Sequence, residues 1–130
     1  MIEFHLDARS GVPTYLQLVQ QVRQAIRLGI LHPGDQLPTV KEVVGSLAIN
    51  PNTVLKAYRE LDRESLVEGR RGVGTFVSSR LSGPPPDGVK ELRTGLERWI
   101  GRARAVGLDE ESMAALFNDT VRPPAVSRVA

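Results

Sequence analysis

The sequence predicts a mainly α fold with a small β-wing: an N-terminal winged helix-turn-helix, then a short C-terminal two-helix dimerisation unit. Three observations predict it. Residues 39–63 carry two helical patterns separated only by Ala48-Ile49, the second opening at Asn50-Pro51-Asn52-Thr53. Leu66-Val67-Glu68 and Thr75-Phe76-Val77 are strand-like and flank a tip, Arg70-Arg71-Gly72-Val73-Gly74. Beyond a Pro/Gly stretch, Val89, Leu92, Leu96, Trp99, Ile100, Ala103 and Val106 recur at helical spacing. The expected boundaries are 1–78 for the winged domain, 79–88 for the linker and 89–120 for the helical unit. Residues 121–130 are expected to be a disordered tail.

Taken in order, Ile2-Glu3-Phe4-His5-Leu6-Asp7 alternates like a strand or an extended arm. Pro13 and Thr14 open a helix in which Tyr15, Leu18, Val19, Val22, Ile26 and Ile30 share a face, and Gly29 is its expected stop. His32-Pro33-Gly34-Asp35 has turn chemistry, and Asp35-Gln36-Leu37 is expected to form one extended rung beside the wing. Thr39-Val40-Lys41-Glu42 spells a capping box, in which hydroxyl and carboxylate each satisfy the other residue's amide. Val40, Val43, Val44 and Leu47 point inward, with Ile49 at the corner. Asn50 is the expected N-cap of the second helix and Pro51 takes its first position, where a missing N–H costs nothing. Val54, Ala57, Tyr58 and Leu61 make its buried stripe; Lys56, Arg59, Glu60 and Arg63 face outward. Three consecutive prolines favour a stiff linker. A last helix starts at Asp109, with Met113, Leu116 and Phe117 inward.

The 130 residues suit one domain with an appendage, and 41% hydrophobic residues support a modest core. Cysteine is absent, which excludes disulfides, thiolate nucleophiles and cysteine metal sites. Neither a signal peptide nor a membrane span is discernible, so the expectation is a cytoplasmic protein with no membrane partner. Net charge is only +2, and residues 1–80 hold 10 Lys+Arg against 8 Asp+Glu. Any affinity for nucleic acid must therefore come from local placement of cations. His5 and His32 lack metal-ligand spacing, and Gly72-Val73-Gly74 is not followed by the Lys-Ser/Thr of a phosphate loop. No catalytic, metal or cofactor residues are expected.

The candidate DNA-binding residues fall in three groups. Asn50, Asn52 and Thr53 occupy the first turn of the second helix, where amides can pair with adenine and a threonine methyl can touch thymine. Thr39 and Lys41 stand at the start of the first helix, and Lys56 lies one turn into the second; both lysines suit phosphate. Arg70, Arg71 and Gly72 form the wing tip, with Arg71 favoured to enter a minor groove. For dimerisation the candidates are Leu92, Leu96, Trp99, Ile100, Ala103, Leu116 and Phe117, because a lone helical hairpin has too few apolar groups to close a core.

Four separated segments, PTYLQLVQQVRQAIRLGIL, PGDQLPTVKEV, INPNTVLKAYRELDRE and RRGVGTFV, resemble the winged helix-turn-helix of GntR-type bacterial transcription regulators. The resemblance covers about residues 12–78. INPNTV with AYRELDRE and the short C-terminal part resemble the YtrA-like subfamily. That resemblance implies a homodimer held by its two-helix unit and an inverted-repeat operator with GT and AC ends. It also implies repression, often of the regulator's own operon and of ABC-type transporter genes. Its DNA contacts would fall on Lys41, on Asn50, Asn52 and Thr53, and on Arg71-Gly72. Three departures stand out: Lys41 where many members carry Arg, Ser65 where a helix-ending Gly is common, and Leu55 where a polar residue is frequent. A small-molecule effector would be of unknown identity. The rival readings are a winged-helix protein-interaction module and a non-specific architectural DNA binder.

Overall fold

A computed structural model describes residues 2–82 and 86–122. The chain divides into two units, Met1–Val89 and Lys90–Ala130.

In the first unit, helix α1 (Thr14–Arg27) follows Pro13 and buries Leu18, Val19, Val22 and Ala25. Ile30 does not continue that stripe and is 57% exposed. The reason is Gly29, whose φ of 73° reverses the chain. The Ile30 amide donates back to the Ala25 carbonyl and the Gly29 amide to Ile26, a Schellman closure that turns Ile30 outward. Leu31 fills the buried place instead.

The N-terminal segment is an extended arm rather than a strand. Two glutamines one turn apart on α1 hold it. The Gln21 amide receives the His5 N–H at 3.0 Å and donates to the His5 carbonyl at 2.6 Å. Gln17 accepts from the Asp7 N–H at 2.8 Å and donates to the Asp7 and Val12 carbonyls. These side chains supply the pairing that a neighbouring strand would give, and Phe4 is buried beneath the arm.

Helix α2 (Val40–Leu47) opens with the expected capping box: Thr39 Oγ1 accepts the Glu42 amide at 3.1 Å, and the Thr39 amide donates to Glu42 Oε1 at 3.2 Å. Helix α3 (Pro51–Arg63) buries Val54, Ala57, Tyr58 and Leu61 and packs on both α1 and α2. Its C-terminus closes as α1 does: the Leu66 amide donates to Leu61 and the Ser65 amide to Asp62. Here the left-handed position, φ 61°, is held by a serine. Arg23 of α1 clamps that end, its Nε and Nη2 donating to the two Glu64 oxygens at 2.8 and 2.5 Å.

Strands β1 (Val67–Arg70) and β2 (Gly74–Val77) pair antiparallel, Val67 opposite Val77 and Arg70 opposite Gly74. The predicted extra rung is present. Gln36 bridges to Phe76, the Leu37 amide donates to Thr75 at 2.8 Å and the Val77 amide to Asp35 at 2.7 Å. So β2 lies between β1 and the segment before α2. The core gathers Leu18, Val22, Leu37, Val54, Leu61 and Val77, all essentially inaccessible.

Helix α4 (Pro86–Ala105) and helix α5 (Glu110–Val121) carry the C-terminal unit. α4 starts three residues ahead of Val89, because Pro86 suits a first helical turn. Pro84 and Pro85 of the expected stiff linker lie outside the described residues. Earlier in that linker, Leu81 packs on the winged core. Gly107 reverses the chain between the helices, and Asp109 caps α5 by accepting the Ser112 amide at 2.8 Å. That bond and the Ser112 hydroxyl hold the Asp109 carboxyl below its ordinary range, the hydroxyl first. α5 runs on to Val121, one residue into the expected tail; residues 123–130 lie outside the described set.

Among the described residues of this unit, Ala103 and Met113 are the buried apolar ones. Trp99 and Ile100 are half-buried. Leu92 is 75% exposed, and Leu96, Leu116 and Phe117 are also in contact with solvent. Phe117 therefore does not point inward as expected, whereas Leu116, though partly exposed, lines a hollow with Trp99, Ala103, Val106 and Leu108. Two helices offer one line of mutual contact, too little to cover every apolar side chain they carry.

Candidate nucleic-acid interface

The candidate interface is built from three places that leave polar groups uncommitted. The first is the turn between α2 and α3. Ala48 adopts φ 53°, ψ 46°, left-handed geometry that a helix end favours but an alanine tolerates at a cost. It sets Asn50 at the start of α3. There Asn50 Oδ1 accepts the Asn52 amide at 2.8 Å. The cap leaves the Asn50 NH2 edge as the free donor, suited to a phosphate, guanine O6/N7 or thymine O4. Asn52 differs: its side chain is exposed and makes no hydrogen bond among the described residues, so both edges of its amide are available to adenine. Thr53 is half-buried beside it.

A buried hydrogen bond fixes the angle between these helices. Tyr58 Oη donates to the Pro38 carbonyl at 2.6 Å, tying the middle of α3 to the residue before the α2 cap. Burial, and secondarily the Glu42 carboxylate, push the Tyr58 phenol well above its ordinary range. The hydroxyl therefore stays a donor throughout the physiological range. Thr39 and Lys41 lie exposed on the rim this bond creates. The Thr39 oxygen is spent on its cap, but its proton remains free to donate.

The outer face of α3 carries two more cations. Arg63 pairs with Glu60, one oxygen receiving Nε at 3.0 Å. That hydrogen bond lowers the Glu60 carboxyl and raises the Arg63 guanidinium from their ordinary values. Arg59 is exposed with no partner among the described residues and stands seven residues beyond Asn52, on the same surface line. It is a candidate contact that sequence reasoning placed outward but left out of the site. Lys56 is placed differently from the other candidates: its Nζ sits 4.1 Å from the centre of the Tyr15 ring of α1.

At the wing, Arg70 is engaged twice, 4.3 Å over the Phe76 ring and 3.6 Å from Glu68. Arg71 is exposed at the tip with no partner among the described residues, beside Gly72 at φ 75°. The two neighbouring arginines are thus unequal: one braces the hairpin and the other is free for a ligand. Among the described residues, no cluster of three or more His, Asp or Glu could hold a metal, and no helix is long and apolar enough to cross a membrane.

Residues 14–77 match the family model of "Bacterial regulatory proteins, gntR family". Over 109 residues the chain is 38% identical to the HTH-type transcriptional repressor YtrA of Bacillus subtilis, covering 83% of this chain and 84% of that one. The chain belongs to the gntR family. It is also 41% identical to the HTH-type transcriptional regulator Rv1152 of Mycobacterium tuberculosis over 79% of this chain and 81% of that protein. In structure it is similar to YtrA of Sulfolobus acidocaldarius, a GntR-family transcription factor, with a TM-score of 0.56, 31% identity and coverage of 78% and 97%. This gntR-family chain is thus a sequence-specific DNA-binding transcriptional regulator of the YtrA-like type, not an enzyme. Its mainly helical fold with a β-hairpin wing and a C-terminal helical pair is the one the sequence predicts.

Proposed function

We propose that the regulator is a homodimeric repressor, working in the cytoplasm on an inverted-repeat operator. Its free Asn52 amide, held at the start of α3, is the observation that carries the reading. Asn50 and Thr53 would assist it, Thr39, Lys41 and Lys56 would meet phosphates, Arg70 would brace the wing, and Arg71-Gly72 would follow the minor groove. Dimerisation is supported by the uncovered apolar side chains Leu92, Leu96, Leu116 and Phe117, with Trp99 and Ile100 half-covered beside them. Ala103, already buried within the hairpin, would shape that face from below. Two recognition helices related by a twofold axis require half-sites about one helical turn (~34 Å) apart, or a multiple. Repression is supported by likeness to YtrA of Bacillus subtilis, a repressor by name. Its own operon and ABC-type transporter genes are the targets the resemblance favours, and an effector, if used, is a small molecule of unassigned class.

Binding-site selection from a random duplex pool with the purified protein tests this. The expected product is one inverted repeat, whose affinity falls steeply as salt rises. Lys41→Ala and Arg71→Ala should each weaken all duplexes and reduce the salt slope by about one. A pool that stays random, or binding indifferent to salt, would return the chain to the interaction-module or architectural readings.

A further inference from the structure

We propose that Leu55 reads the C5-methyl group of a thymine, as a specificity determinant beside Asn52. The inference rests on the assignment of the α3 N-terminal half to the major groove. A lone exposed leucine is ordinary on a protein surface, so its position carries the argument. Leu55 is 41% exposed in the polar half of α3. Its surface neighbours on the helix are Asn52 three residues before and Arg59 four residues after, both exposed.

The flank it occupies is fixed by Tyr58, three residues on, whose hydroxyl reaches Pro38 at the entry to α2. Leu55 therefore projects from the side of α3 that borders Thr39 and Lys41. Lys56, the very next residue, stands one turn from Asn52 on its other flank and lies over Tyr15 of α1. Asn52 thus has Leu55 on the flank towards Thr39 and Lys41, and Lys56 on the flank towards α1.

In the major groove each base pair presents hydrogen-bonding groups, and thymine alone among the four bases adds an apolar one. Three residues along a helix advance about 4.5 Å, close to the ~3.4 Å between successive bases of a strand. With Asn52 paired to an adenine, Leu55 reaches the neighbouring base pair. A leucine cannot satisfy an exocyclic amine or a carbonyl, so it would disfavour polar alternatives there and accept a methyl.

The experiment replaces each thymine of the selected operator in turn by deoxyuridine, which removes the methyl and leaves every hydrogen-bonding group. With the full-length protein, one position per half-site should lose about fourfold in affinity, the effect of withdrawing one methyl from apolar contact. Leu55→Ala should bind thymine and deoxyuridine equally there, while Leu55→Met keeps the discrimination. Thermal melting of each variant checks that it is folded. Wild-type protein indifferent to deoxyuridine at every position, or Leu55→Ala with undiminished discrimination, would overturn the assignment. Failure to select any operator would instead count against the regulator reading itself.

Discussion

The two helical units of this chain both carry apolar residues at helical spacing, and they use them to opposite ends. In the winged unit, the stripes of α1 and α3 disappear into a common core with Leu37 and the wing residues Val67 and Val77. In the C-terminal unit, α4 and α5 bury Ala103 and Met113 and leave larger side chains in water. The difference is geometric. Three helices and a hairpin enclose a volume, whereas two helices share only a line. Apolar periodicity alone therefore locates a helix face without saying whether the partner is the same chain.

The largest expected effect follows from the less satisfied unit. Leu96→Asp places a charge on the exposed face of α4 and should leave a folded protein that is monomeric at micromolar concentration. Light scattering gives the mass and circular dichroism the fold. A dimer of unchanged stability would show that this face is not the interface.

In the satisfied unit, Asn52→Ala should cost about 1–3 kcal/mol of specific binding while leaving affinity for unrelated duplexes unchanged. Competition titrations with operator and random DNA separate the two quantities.

Tyr58→Phe should destabilise the winged unit by about 1–3 kcal/mol, because the buried Pro38 carbonyl loses its donor. It should also change the pH profile. The phenol titrates higher in the folded chain than in the unfolded one. The unfolded chain therefore sheds that proton first, at about pH 10, and native stability declines as pH rises beyond that point. Urea melts in alkaline buffer should show this decline for the wild type and a shallower one for Tyr58→Phe.

The smallest effect concerns the helix ends. Gly29 and Ser65 occupy the same left-handed position in equivalent closures of α1 and α3. Relief of about 1–2 kcal/mol of left-handed strain at Ser65, less the ~0.4–1 kcal/mol of extra freedom glycine gives the unfolded chain, should make Ser65→Gly stabilising by several tenths of a kcal/mol. A destabilised variant would mean that the serine hydroxyl contributes something its backbone does not show.

These contrasts also mark what could be read beforehand. Caps and turns were legible because their chemistry is local: Thr39 with Glu42, Asn50 with Pro51, and the reversal at Gly29. The burial of Val54, Ala57, Tyr58 and Leu61 followed from one helical period. Apart from the Asp35–Leu37 rung beside the wing, features requiring two distant segments were not legible. No local pattern shows that Gln17 and Gln21 hold the N-terminal arm, that Tyr58 reaches Pro38, or that Arg23 meets Glu64. At the candidate interface, local chemistry already set neighbours apart: Asn50 as the cap before Pro51, and Arg71 over Arg70 at the wing tip. The Asn50 cap is present, and the Asn52 side chain makes no hydrogen bond among the described residues. What local chemistry does not show is where Arg70 goes, over the Phe76 ring.

The division of labour between the units is tested most directly by comparing Leu96→Asp with wild type on a complete operator and on an isolated half-site. The wild type should prefer the complete site by a factor of about 10²–10⁴, the gain expected when two linked modules engage together. The variant should bind both at the wild-type half-site affinity. A variant that still prefers the complete site, or one whose half-site binding collapses, would contradict an account in which one unit reads DNA and the other pairs the chains.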